Sequence, residues 1–219
     1  LKNELQPRTA RPQLVAGLAL FCALCACAPA NPDKHTKPGT VAVFDCEQEI
    51  EIVVDIQPET AWLFLPGQTV ALPHIRTGSG SKYSNGAITF WNKGGEALLA
   101  LPGEKNYRCQ ENRARTIWEE AKLRGVDFRA TGNEPGWHLE IGPDKILLVS
   151  AYGQQRETFP IPVPVSDQAT RQTTYRTGDL EILLQARTCR DSMSGESFET
   201  TVTLTRPALT LKGCGRPLH

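Results

Sequence analysis

From about residue 40 onward, apolar and polar residues alternate in short runs, which predicts β-strands rather than helices. In the first half, alternation is clear in Val41–Asp45, Glu49–Ile56 and Ala61–Leu65, followed by a Pro66-Gly67 turn and the short apolar run Thr69–Leu72. Ser84-Asn85-Gly86 is a hairpin signal, because Asn-Gly pairs suit the turns that join antiparallel strands. Strands then follow at Ala87–Trp91, Ala97–Leu101 and Asn106–Gln110, with a Pro102-Gly103 turn before the last. Seven or eight strands within residues 41–110 predict a small antiparallel β-barrel.

The period changes once. Over Asn112–Gly125, Ile117, Trp118, Ala121 and Leu123 fall at helical spacing, and Gly125 is a natural stop. Glu119 with Lys122 and Glu120 with Arg124 are placed to pair on the outer face of that helix. Residues 111–125 therefore read as a linker helix between two β-rich blocks. In the second block, 126–219, strands are expected at Val126–Ala130, His138–Ile141, Lys145–Ser150, Thr173–Thr177, Leu180–Ala186, Thr200–Thr205 and Ala208–Lys212. Phe159–Val165 alternates with prolines and belongs at an edge or in an extended segment. The fold class is all-β, with two β-rich domains.

The first 40 residues follow different rules. Lys2, Arg8 and Arg11 precede an uncharged apolar run, Leu14–Ala26, which is shorter than the roughly 20 residues of a membrane span. It has the form of a secretory signal. Its end, Leu24-Cys25-Ala26-Cys27, resembles a bacterial lipobox. The resemblance implies that residues 1–27 are the signal, that Cys27 is lipidated, and that Ala28 directs the anchored protein to the outer membrane, on its periplasmic side. The competing reading is an ordinary signal cleaved near Ala28-Pro29-Ala30. Residues 28–40 are polar and proline-rich, as a flexible tether is.

Four cysteines then remain: Cys46, Cys109, Cys189 and Cys214. Four cysteines allow three pairings, and export makes disulfides plausible. Sequence order favours Cys46–Cys109 and Cys189–Cys214, each closing one block. No CxxC or HxxxH spacing is present and the four histidines are scattered, so neither a metal nor another cofactor is expected. The 24 basic and 24 acidic residues cancel, which argues against a nucleic-acid partner. Residues 41–110 hold eight acidic and five basic residues, a mild acidity that favours a cationic partner and equally suits a solvated strand face.

Two segments of the first block carry more. Thr77-Gly78-Ser79-Gly80-Ser81-Lys82-Tyr83 and Phe90-Trp91-Asn92-Lys93-Gly94-Gly95-Glu96-Ala97 lie in order between Cys46 and Tyr107-Arg108-Cys109. Together they resemble the membrane-bound inhibitors of c-type lysozyme, the MliC family. Thr77 and Ser81 depart from that family's usual Ser and Ala. The resemblance implies an inhibitor rather than an enzyme. Its partner would be c-type lysozyme, and Ser79 and Lys93 would enter the lysozyme cleft. Gly78 and Gly80 would let the loop backbone approach closely and take positive φ, Tyr83 would buttress the loop, and Trp91 would pack beneath it. Taken singly, Gly78-Ser79-Gly80 reads as a flexible turn and Lys93 as an edge-strand lysine. A nucleophilic role for Ser79 needs an adjacent base, and His74, close in sequence, has no evident partner.

The second block resembles an uncharacterised domain of Gram-negative lipoproteins through Phe128–Trp137, Cys189–Gly195 and Gly213-Cys214-Gly215. That resemblance brings no activity. Asn133, Glu134, Asp191 and Ser194 either line a site or satisfy the backbone of tight turns. The alternative function is an envelope-binding or structural lipoprotein whose second domain binds a glycan or another envelope protein.

Overall fold

A computed structural model describes residues 39–219. The expectations for the signal, for Cys27 and for nearly all of the tether lie outside the described residues. Among the described residues, no helix is long and apolar enough to cross a membrane.

Eight strands form a closed antiparallel barrel: β1 (Thr40–Cys46), β2 (Ile50–Ile56), β3 (Thr60–Leu65), β4 (Gln68–Ile75), β5 (Ser81–Ser84), β6 (Thr89–Lys93), β7 (Glu96–Ala100) and β8 (Tyr107–Glu111). Each pairs with the next, and β8 returns to β1 to close the circle. Alternation explains the core. Phe44, Ile52, Val54, Leu63, Leu72, Phe90 and Leu99 point inward and are almost fully buried. The Phe44 and Phe90 rings meet edge-on at 5.4 Å. The Cys46–Cys109 disulfide joins paired residues of β1 and β8, so it lies at the closure. Strand β5 is absent from the expected strands, because its four residues sit inside the Gly- and Ser-rich segment that reads as a loop.

Helix α1 (Arg113–Leu123) follows directly. Asn112 caps it by accepting from the Arg115 amide at 3.1 Å. The helix lies against β1: the Val43 amide donates to Thr116 Oγ1 at 2.9 Å, and Asn112 Nδ2 donates to Asp45 at 2.8 Å. Val43 faces away from the barrel interior yet is fully buried, because α1 packs there. The helix departs from expectation in its exposure and in both ion pairs, and Glu119 and Lys122 do not pair. Trp118 and Ala121 are buried, but Ile117 and Leu123 are exposed. Arg124 does not pair with Glu120; its guanidinium grips buried Glu140 with two bonds of 2.9 and 3.1 Å. A buried carboxylate offers a stronger, charge-assisted partner than an exposed one in the adjacent turn.

The second sheet has nine antiparallel strands. They are β9 (Phe128–Asn133), β10 (Gly136–Ile141), β11 (Lys145–Ser150), β12 (Gln155–Pro160), β13 (Val165–Asp167), β14 (Gln172–Thr177), β15 (Leu180–Gln185), β18 (Thr200–Arg206) and β19 (Leu209–Pro217). A separate two-stranded hairpin holds β16 (Cys189–Arg190) and β17 (Ser197–Phe198). The spatial order is β12-β11-β10-β9-β19-β18-β15-β14-β13. Strands β12 and β13 are thus consecutive in the chain yet sit at opposite edges. Residues 161–164 alone connect them, so the edges lie within about 18 Å and the sheet curls into a partial barrel. Pro160, Pro162 and Pro164 lack the amide donors that would zip the seam. Across it, Thr177 Oγ1 donates to the Pro160 carbonyl at 3.3 Å, and Arg206 of β18 pairs with Glu157 of β12 at 2.9 Å.

The sheet's inner face holds a core of Phe128, Ala130, Trp137, Leu139, Ile146, Ile182, Val202 and Leu204. Gly132 and Gly213 leave room for the Trp137 indole, which a Cβ at either position would strike. On the other face, Trp118 of α1 packs on Phe198 at 5.2 Å beside the Cys189–Cys214 disulfide, and Arg216 covers both rings.

Candidate functional site

Ser79 is exposed on the loop between β4 and β5. Two glycines flank it, with different roles. Gly80 has φ +67°, and a Cβ there would strike the Asn92 carbonyl and come within 3.2 Å of the Lys93 Cβ. Only glycine fits such a close backbone approach at positive φ. Gly78 faces open space and has no positive φ, so the requirement falls on one side of Ser79 only. The Trp91 indole on β6 donates from Nε1 to the Ser79 carbonyl at 3.0 Å. It therefore ties down the loop's backbone and leaves the Ser79 hydroxyl outward.

Lys93 ends β6 and is exposed. It makes no ion pair among the described residues. The turn after it is fixed from β8: Gln110 Nε2 and the Glu111 amide both donate to the Gly95 carbonyl, at 2.7 and 2.8 Å. Gln110 was not singled out in the sequence, and no local pattern marks it. Only the β7–β8 register brings it to this turn.

Tyr83 is a core residue. Its ring is buried in the barrel and meets His74 edge-on at 5.2 Å. Its hydroxyl donates to the Gln57 carbonyl at 3.0 Å. Burial pushes the phenol pKa up, against a hydrogen bond with Ser81 at the end of the Ser79 loop.

A cavity of about 680 Å³ opens on the outer face of β6, β7 and β8. Strand register builds it. Lys82, Trp91, Leu98 and Arg108 form one cross-strand row, and Lys93, Glu96, Gln110 and Asp45 form the next. The floor is apolar at Trp91 and Leu98, and the rim carries Asp45, Glu47 and Glu96 against Lys93 and Arg108. The Lys82 ammonium lies 5.7 Å from the Trp91 ring centre, a cation–π contact that steadies the indole. The site thus presents a hydroxyl and an unpaired ammonium beside an acidic rim. Among the described residues, no cluster of His, Cys, Asp and Glu suits a metal.

A family model described as the membrane-bound lysozyme-inhibitor of c-type lysozyme matches residues 44–108. A protein of Yersinia enterocolitica serotype O:8 / biotype 1B (strain NCTC 13174 / 8081), named membrane-bound lysozyme inhibitor of C-type lysozyme, is 30% identical to this chain over 116 residues. That stretch is 52% of this chain and 92% of the Yersinia protein. The chain belongs to this family. No solved structure gives a significant match. The family match runs from Phe44 in β1 to Arg108 in β8, so it coincides with the barrel and leaves α1 and the second sheet outside.

In the second sheet, the polar turn residues satisfy one another. One Asp191 oxygen accepts from the Met193 and Ser194 amides and the Ser194 hydroxyl, at 2.7–3.0 Å. The other accepts from Asn133 Nδ2 at 2.8 Å. Burial raises the Asp191 pKa, but these donors outweigh it and hold the carboxyl below its usual range. The contact ties the β9–β10 turn to the loop after β16, and Glu134 stands exposed beside it.

Proposed function

We propose that this chain inhibits c-type lysozyme by inserting the Ser79 loop, with Lys93 beside it, into the enzyme's cleft, and that it is not itself an enzyme. The carrying observation is the close approach of Gly80 to the Asn92 carbonyl, with room for no Cβ, which sets the Ser79 loop against the end of β6 where Lys93 stands. The name of the Yersinia relative supports the same partner.

Lysozyme chemistry supplies the complement. The enzyme needs one protonated carboxyl and one ionised carboxylate. An unpaired lysine ammonium can neutralise the carboxylate, and a serine hydroxyl can hydrogen-bond the protonated partner. The loop's backbone is already held by Trp91 and Gly80, so little ordering entropy is lost on binding. The acidic rim at Asp45, Glu47 and Glu96 favours approach of a cationic enzyme. Ser79 does not read as a nucleophile, because the His74 ring packs against Tyr83 instead of serving it as a base. Lipidation at Cys27 would hold the inhibitor on the outer membrane, facing the periplasm and the peptidoglycan it protects.

The test is lysis of bacterial cell walls by c-type lysozyme in the presence of the purified chain. Wild type is expected to inhibit. Ser79→Ala and Lys93→Ala, both at exposed positions, are each expected to weaken inhibition by about 10- to 100-fold, as central interface residues do. Lack of inhibition by folded wild type, or full potency in both variants, overturns the reading.

A further inference from the structure

The face of the second sheet that carries α1 holds a charge cluster unconnected with the Ser79 site. A pocket of about 390 Å³ opens there between α1 and strands β9 to β12. Register assembles it. Arg129, Glu140 and Leu147 align across β9, β10 and β11, and His138, Val149 and Arg156 align across β10, β11 and β12. Arg124 and Glu120 close it from the helix side.

Its charges do not cancel. Arg124, Arg129 and Arg156 face two carboxylates, Glu120 and Glu140. Glu140 is buried and already engaged, gripped by Arg124 at 2.9 and 3.1 Å and by Arg129. Arg129 is only 7% exposed, and its Nε is buried with no hydrogen-bond partner. Arg156 is exposed, and its side chain makes no ion pair or hydrogen bond among the described residues. Half-buried His138 lies among these groups. An exposed, unpaired Arg156 beside the desolvated Arg129 is a local surplus of guanidinium charge, and an incoming oxyanion would balance it.

We propose that this pocket is a binding site for an oxyanion, a carboxylate or phosphate-type group, held by Arg156 and Arg129 beside His138. Arginine forks match both groups in the same planar geometry. Binding is coupled to protonation of His138. Burial first, and then the positive charge of Arg129, outweigh Glu140 and keep the imidazole below its ordinary pKa. The groups facing it are Glu120 and Arg124 from the helix side, Arg129 from β9, Glu140 from β10 and Arg156 from β12, while β11 contributes only Leu147 and Val149. A bound anion reverses the balance and favours the imidazolium. Affinity therefore rises as pH falls.

The experiment follows the His138 ring resonances of the full chain by NMR, assigned with a His138→Asn variant. Sodium sulfate is titrated against sodium chloride at equal ionic strength. Sulfate is expected to raise the His138 titration midpoint saturably, by about one pH unit, beyond any chloride effect. Arg156→Gln is expected to weaken sulfate binding at least about tenfold, while Arg156→Lys, which keeps the charge, recovers part of it. A parallel acetate titration identifies the group: binding of acetate supports a carboxylate ligand, and binding of sulfate alone supports a phosphate-type one. A midpoint that moves no more in either sulfate or acetate than in chloride, or an Arg156→Gln variant that binds the anion as tightly as wild type, overturns the proposal.

Discussion

At the scale of single residues, the two glycines beside Ser79 form an internal control. Gly80 combines φ +67° with backbone contact against Asn92, whereas Gly78 has neither constraint. Gly80→Ala is expected to cost about 1–3 kcal/mol in a urea unfolding series and to lower lysozyme inhibition with it. Gly78→Ala should leave stability within about 0.5 kcal/mol of wild type. Equal effects would mean that the Ser79 loop is not anchored at Gly80. The Ser79 and Lys93 segments can be read from sequence because their residue types are unusual together. What anchors them cannot. The Trp91 indole reaches the Ser79 carbonyl across 12 positions, and the Gln110 amide reaches Gly95 across 15. Such bonds exist only once strand register is set. The same holds for the pocket on the second sheet, whose arginines, histidine and carboxylates are ordinary surface residues until four strands and a helix bring them together.

At the scale of elements, long alternating runs identified most of the strands. Those missed have physical reasons. Strand β5 is hidden in a Gly/Ser segment, the first residues of β12 are Gln155-Arg156-Glu157-Thr158 with no apolar member, and β13, β16 and β17 are only two or three residues long. Helix α1 was legible by its period, but its ion pairs were not, because Glu140 lies on another element. Glu140 is only 5% exposed, and without it Arg129 is left buried and unpaired. Glu140→Gln is expected to destabilise the protein by about 3–5 kcal/mol at pH 7, measured by denaturant unfolding. Burial raises the Glu140 pKa, but the Arg124 hydrogen bonds and the Arg129 charge outweigh it and hold the carboxyl below its ordinary value. A depressed carboxyl contributes stability fully above its unfolded pKa of about 4.3 and loses it as pH falls through the lower folded value. The gap between wild type and variant should therefore persist at pH 7 and narrow only in strong acid. A gap that stays constant down to pH 2 would count against the ionised pair.

At the scale of the whole molecule, two sheets solve the edge problem differently. The barrel closes on itself, and the second sheet curls until a proline-bearing segment spans its seam. The two disulfides have unequal reach, 63 residues for Cys46–Cys109 and 25 for Cys189–Cys214. Chain entropy predicts about 4 kcal/mol for the first and about 3.5 kcal/mol for the second. Paired serine substitutions at each bridge, compared by thermal unfolding, should show losses of that order, and the barrel's should be accompanied by loss of lysozyme inhibition. Inhibition unchanged in a Cys46→Ser/Cys109→Ser protein whose barrel has unfolded would separate the activity from the barrel. The position of the first bridge also governs the tempo of folding. Every strand pair in the barrel joins neighbours in the chain except β1 with β8, and Cys46–Cys109 sits in that pair. Neighbouring pairs zip quickly, while the distant one must wait for a long loop to close. Until it does, β1 and β8 are open edges that another chain can pair with. The rate at which the newly made chain is oxidised therefore sets how long the nascent barrel is exposed to aggregation.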